Sequence, residues 1–199
     1  MPTSDNLSPS SILAFFRDAP WLNRRSLRLY PRILLAVFTL AAIAWLIASA
    51  GLRDPHGHPI GADFIDPYAA SWLALHDQPA AVYDVQRLWA VESAATYRGV
   101  GYAGFHYPPT YLLIILPLAA MPYAWSLLLW TVVTLALYAA TMRLIDRDRD
   151  ADALWLALAF PGAFVNLTSG QNGFLTLALL AAACSRSIRG RFSPACCSA

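Results

Sequence analysis

The stretch ILLAVFTLAAIAWLIASAGL, residues 33–52, contains no charged side chain in twenty positions. At about 1.5 Å of rise per residue, a helix of that length spans the roughly 30 Å of a bilayer's hydrocarbon core. Residues 1–32 begin with a Ser/Pro-rich run expected to be disordered. They go on to Arg17, Arg24, Arg25, Arg28 and Arg32, set against Asp5 and Asp18. Positive charge directly before a first span keeps that end in the cytoplasm, and anionic headgroups are its natural neighbours. The polar lead and the apolar run are both too long for a cleaved signal peptide, so residues 33–52 read as an uncleaved helix running from inside to outside.

The rest of the composition agrees with this. The chain has 199 residues, of which 58% are hydrophobic and 13% charged, and the mean hydropathy is +0.47. Soluble domains carry about a quarter charged residues. The expected class is an all-α polytopic membrane protein, with a basic tail at 1–32, a membrane domain at 33–183 and an atypical tail at 184–199. All fourteen basic residues are arginine. Cys184, Cys196 and Cys197 have no metal-ligand or pairing pattern. No glycine-rich phosphate loop, serine or cysteine nucleophile arrangement or nucleic-acid patch occurs.

Beyond the polar insertion at 53–108, residues 110–121 are apolar but short, interrupted by Pro117 and closed by Pro122. Residues 124–144 read as a full span and 146–152 as a solvated connector. Residues 153–168 read as a span kinked at Pro161-Gly162, followed by a polar turn at 169–173. Residues 174–183 open a further helix of about half the length a span requires. The tail after it reads as a basic cytoplasmic stop or a truncated or shifted reading frame, and the abrupt loss of apolar pattern favours the latter. If 110–121 crosses the bilayer, the turn at Gln171-Asn172 lies inside; if it dips and returns, that turn lies outside. The charge bias favours the dip.

The insertion carries Asp54, Asp63, Asp66, Asp77, Asp84 and Glu92 against Arg53, Arg87 and Arg98, and it holds all four histidines. An acidic loop after a basic start belongs on the outer face. Two short helices are expected, one over 68–75 with Pro67 in its first turn and Asp66 as cap, the other over 85–97. Trp72, Trp89 and Tyr97 suit helices lying in the headgroup layer. Asp54 with His56 and His58 has a spacing compatible with zinc, but loop histidines are more often simply solvated.

Four elements in order make a set: Gly61-x-Asp63-Phe64-x-x-x-Tyr68-x-Ala70, then Val82-Tyr83-Asp84, then Phe105-x-Tyr107-Pro108-Pro109, then Asn166-x-x-x-Gly170-Gln171-x-Gly173. The set resembles glycosyltransferase family 87, bacterial C-type membrane enzymes related to polyprenol-phosphate-mannose-dependent alpha-mannosyltransferases. The resemblance runs from about Arg32 to Ala183. It implies an integral-membrane fold of the bacterial plasma membrane with the active site on the outer face. It also implies a polyprenyl-phosphate sugar donor, a glycolipid or envelope-glycan acceptor, no cofactor and no obligatory metal. Family members are about twice as long as this chain.

The resemblance puts Asp63 in the place of the catalytic base, and a carboxylate within hydrogen-bond reach of an acceptor hydroxyl meets that need. A departing phosphate needs positive charge, for which Arg53, Arg87 and Arg98 are the cations of the loop. Asp66, Tyr68, Arg87, Arg98, His106, Tyr107, Gln171 and Asn172 are the expected substrate-binding residues. For several of them a plain reading stands alongside: Asp66 as helix cap, Tyr107-Pro108-Pro109 as helix breaker, Gln171 and Asn172 as caps of the following helix. Two rivals remain, a transporter fragment and a non-catalytic scaffold. The first would place ionisable groups within its spans, and residues 33–52 and 124–138 contain none.

Overall fold

The structure is a computed structural model describing residue 17 and residues 23–77, 79–146 and 151–191. Among these residues every regular element is helical, and β pairing is confined to isolated bridges from Arg53 to Ala50 and Pro59. Helix α1 (Arg24–Ala48) starts earlier than the apolar run because Asn23 and Ser26 cap it reciprocally. The Ser26 N–H donates to the Asn23 side chain at 2.9 Å, and the Asn23 N–H donates to the Ser26 hydroxyl at 2.8 Å. The arginines of the lead are therefore helical.

The insertion folds into α2 (Ile65–His76), a 3₁₀ turn (Pro79–Tyr83) and α3 (Val85–Ala95). Asp84 caps α3, accepting the Gln86 and Arg87 N–H groups. Helix α4 (Pro109–Ile115) tightens into a 3₁₀ turn (Leu116–Ala120), and α5 (Tyr123–Ile145) follows. Pro161 heads α7 (Pro161–Ser169), so the expected kink is a full break that separates it from α6 (Ala151–Leu158). Helix α8 (Gly173–Arg191) continues well past Ala183, so loss of apolar pattern does not end it.

The main core lies in the insertion, not between the long helices. Helix α2 packs against α3, α4 and both 3₁₀ turns, and Phe64, Ile65, Leu88 and Ile115 are fully buried. The long helices instead turn apolar side chains outward: Val37, Leu40, Ile43 and Ile47 on α1, and Leu128 and Val132 on α5. Helices α1 and α5 are the two that are long and apolar enough to cross a membrane. The core helix of a soluble protein would bury these residues. Exposed apolar surface on this scale marks a face covered by lipid or another protein.

Contacts at the two ends of the bundle order the chain. Near the start of α1, Arg28 pairs with Asp152 at 2.6 Å and the Arg32 guanidinium lies 5.9 Å from the centroid of the Trp155 ring. At the opposite end the Tyr123 hydroxyl donates to the Ile60 carbonyl at 2.7 Å, and the Asp63 N–H donates to the Ser169 carbonyl at 2.9 Å. Helix α5 thus begins where α1 finishes, and α6 with α7 returns the chain to that same end. Residues 109–120 do not traverse the bundle. Their far side is held at the insertion by the Tyr68 hydroxyl on the Met121 carbonyl (3.0 Å), and at the start of α5 by the Ser126 hydroxyl on the Leu118 carbonyl (2.8 Å). Gln171 and Asp63 lie together at that end.

Tyr123 is buried and its hydroxyl is what ties the insertion to α5. Tyr123→Phe leaves the Ile60 and Gly61 carbonyls without that donor. It is expected to cost about 1–3 kcal/mol, read as a lowered thermal unfolding midpoint in detergent.

Candidate active site

Gly61 adopts a left-handed φ of 74°, and the turn closes with the Phe64 N–H donating to the Gly61 carbonyl at 2.8 Å. The fully buried Phe64 ring then packs on Trp130 and Tyr123, each with its ring centroid 5.9 Å away. Asp63, one residue before it, remains at the surface. Gln171 Nε2 donates to Asp63 Oδ2 at 2.8 Å, and Oδ1 accepts no hydrogen bond among the described residues.

The turn that delivers Gln171 explains the spacing Asn166-x-x-x-Gly170-Gln171-x-Gly173. Gly170 ends α7 in the left-handed conformation at φ 73°, where both its N–H and that of Gln171 donate to the Asn166 carbonyl. With its amide turned to suit both neighbours, Asn166 donates to the Gln171 carbonyl and accepts from the Gly173 N–H at 3.0 Å. A Cβ on Gly173 would meet that amide at 2.5 Å, and a Cβ on Gly170 would meet the Phe64 Cβ at 2.8 Å. Trp130 Nε1 donates to the Gly170 carbonyl at 3.1 Å, so one tryptophan braces both the Phe64 ring and the Gln171 turn.

Asp66 is not the helix cap. The N-cap of α2 is Phe64, with no side-chain hydrogen bond, and Asp66 lies inside the first turn with 7% of its surface exposed. Burial first, then the charges of Glu92 and Asp63, pushes its carboxyl up to about 8. Burial also raises the Tyr107 phenol, with further contributions from Asp66 and Asp63, so this hydroxyl stands near both carboxyl groups. The Asn172 side chain lies against the Tyr111 hydroxyl, and the Tyr107 and Tyr111 rings pack with centroids 4.6 Å apart. Asp63, Asp66, Tyr107, Gln171 and Asn172 therefore gather at one end of the bundle.

The other expected residues do different work. The Tyr68 hydroxyl is taken up by the Met121 carbonyl. The Arg87 guanidinium pairs with Asp77 at 2.7 Å. Arg98 and His106 are exposed, and Arg98 makes no ion pair among the described residues. The Tyr97 hydroxyl donates to the Gly57 carbonyl and its ring lies under Arg53. Asp54 accepts the backbone N–H groups of His56 and His58 at 2.9 and 2.7 Å. Among the described residues no three His, Cys, Asp or Glu side chains are grouped to hold a metal ion.

Sequence reasoning missed Glu92, which it only counted among the acids of the loop. Glu92 is fully buried and burial raises its carboxyl. It stands four residues after buried Leu88 on the inward face of α3, so a charge on an apolar stripe was the available clue. A crevice of about 460 Å³ lies beside the site, walled by Ala41, Trp45 and Phe164 and sharing Ala62 and Ser169 with it.

The model of glycosyltransferase family 87 matches residues 105–198. That match supports the resemblance to this family, and it runs through the arginine-bearing segment after Ala183. It contains Tyr107, Asn166, Gln171 and Asn172 but not Asp63 or Asp66, which the fold brings to those residues. No curated protein and no solved structure matches the chain.

The glycine at 170 carries a testable consequence. Gly170→Ala forces a side chain into a left-handed position against Phe64, and a loss of about 1–3 kcal/mol is expected. Urea or thermal unfolding in detergent measures it.

Proposed function

We propose that this chain is a membrane glycosyltransferase, or a part of one, that moves a hexosyl group from a polyprenyl-phosphate donor to an envelope glycolipid or glycan, with Asp63 as the base. The mannosyl identity of that hexose is taken from the family resemblance alone. The observation that carries the reading is the bond from Gln171 to Asp63. It joins Asp63, the carboxylate of the first motif, to the segment matched by the family model.

In this reading the acceptor hydroxyl approaches Asp63 Oδ1 while Gln171 holds Oδ2. The hydroxyl proton passes to Asp63 as the acceptor oxygen bonds to the anomeric carbon. The bond from that carbon to the donor phosphate breaks, and the polyprenyl phosphate departs with the electron pair. Tyr107 and Asn172 border the sugar. Of the cations of the loop, Arg87 is engaged by Asp77 and Arg53 lies over Tyr97, which leaves Arg98 for the phosphate. The crevice between α1 and α7 suits an isoprenoid tail along its apolar wall of Ala41 and Phe164; Asp54 and His58 also line it, and Ala62 and Ser169 adjoin Asp63.

The membrane setting rests on the outward apolar faces of α1 and α5 together with the resemblance. Arginines 24, 25, 28 and 32 at the far end from Asp63 favour a cytoplasmic start and an outer-face site. Transfer of labelled sugar from polyprenyl-phosphate mannose in membranes containing the protein is the test. Asp63→Asn is expected to lower the rate about 10²–10⁴-fold. Undiminished transfer in that variant would overturn the assignment of the base.

A further inference from the structure

Helices α2 and α3 pack against each other, and each contributes an acid to the buried set: Asp66 is 7% exposed and Glu92 fully buried. Glu92 Oε2 accepts the Ala103 N–H at 3.3 Å, while Oε1 has no hydrogen-bond partner. The Asp66 carboxyl has only its own backbone N–H as a donor. The titratable groups that face Asp66 are Asp63 before α2, Glu92 of α3, Tyr107 and Tyr111 at α4, and Tyr123 of α5. Of the two 3₁₀ turns packed on α2, Leu116–Ala120 has no titratable side chain, and Pro79–Tyr83 has only Tyr83, which is exposed. Among the described residues no ion pair reaches Asp66 or Glu92.

Two buried anions with one unpaired oxygen and no counter-charge are untenable, because desolvation and mutual repulsion both oppose them. A proton resolves the conflict. We propose that Asp66 and Glu92 form a carboxyl pair holding one proton, seated on Asp66, and that this pair is a positioning element behind Asp63. Glu92 keeps the negative charge because it has N–H donors from the 103–104 backbone, which Asp66 lacks. The neutral Asp66 lets Asp63, three residues away, carry its charge without a second anion beside it. The catalytic consequence rests on the function proposed above; the shared proton does not.

The sign of the pH effect follows from where the proton binds. Folded Asp66 keeps its proton up to about 8, whereas an ordinary aspartate loses it near 3.8. Its contribution to stability is therefore full below about pH 4 and is lost as the pH rises to about 8.

Infrared spectroscopy of the whole protein in detergent tests the pair directly. A protonated-carboxyl C=O band that shifts in D₂O is expected at pH 7, titrating away with a midpoint near 8. Asp66→Asn should remove the band and flatten the fall in thermal midpoint between about pH 5 and pH 8. Glu92→Gln should lower the band's midpoint by about one pH unit or more, because removal of a neighbouring charge relieves the upward push. Absence of the band in the wild type, or its survival in Asp66→Asn, overturns the proposal. In the transfer assay, wild-type rate should change through the same midpoint and the Asp66→Asn rate should not. A band behaving as expected in a protein without transferase activity would sustain the pair and sink the transferase reading.

Discussion

Burial of the Phe64 ring is the constraint on which the rest of the structure depends. The ring is fully enclosed and packs on Tyr123 and Trp130. A buried aromatic of this kind contributes a few kcal/mol of apolar burial. Because Phe64 faces inward, Asp63 is left at the rim and α2 starts at Ile65, which puts Asp66 inside its first turn. The same Trp130 that receives Phe64 holds the Gly170 carbonyl. Loop and turn are thus registered against one side chain, and the bond from Gln171 to Asp63 follows from that registration.

The insertion resembles a small globular domain seated on one end of the long helices. Its core is made from α2, α3, α4 and the two 3₁₀ turns, while α1 and α5 present their apolar sides outward. The two regions obey different rules. Within the insertion buried polar groups must be paired or neutral, as the Tyr68 and Ser71 hydroxyls are by backbone carbonyls. On the long helices the surface is apolar because its neighbour is apolar too. The buried acids belong to the first region, so they do not indicate an ion pathway through the spans.

The helical class was legible from the uncharged stretches alone, and the boundaries of α5 and the break at Pro161 lie close to where charge and proline place them. Three features were not legible. Helix α8 continues beyond Ala183 because backbone hydrogen bonding needs no apolar pattern to propagate. Asp66 looked like a cap because it precedes Pro67, but burial of Phe64 moves the helix start back and draws Asp66 in. The turn-back of residues 109–120 depends on the Tyr68 hydroxyl bonding the Met121 carbonyl, 53 positions away in the chain, which local pattern does not encode. For the site, Asp63 and Gln171 could be picked out by their motifs. Glu92 could not be separated from the solvated acids of the loop without knowing which face of α3 is covered.

The partner that orients Asp63 lies 108 positions downstream. At a synthesis rate of about 5–20 residues per second, on the order of 5–20 s elapse between the emergence of the carboxylate and that of its amide. Over that interval the insertion can fold its own core, but the carboxylate has no fixed direction. The geometry of the candidate site is consequently a late event in biogenesis, completed only when the turn after α7 arrives beside Phe64. A chain halted before that turn would contain the acid without the means to aim it.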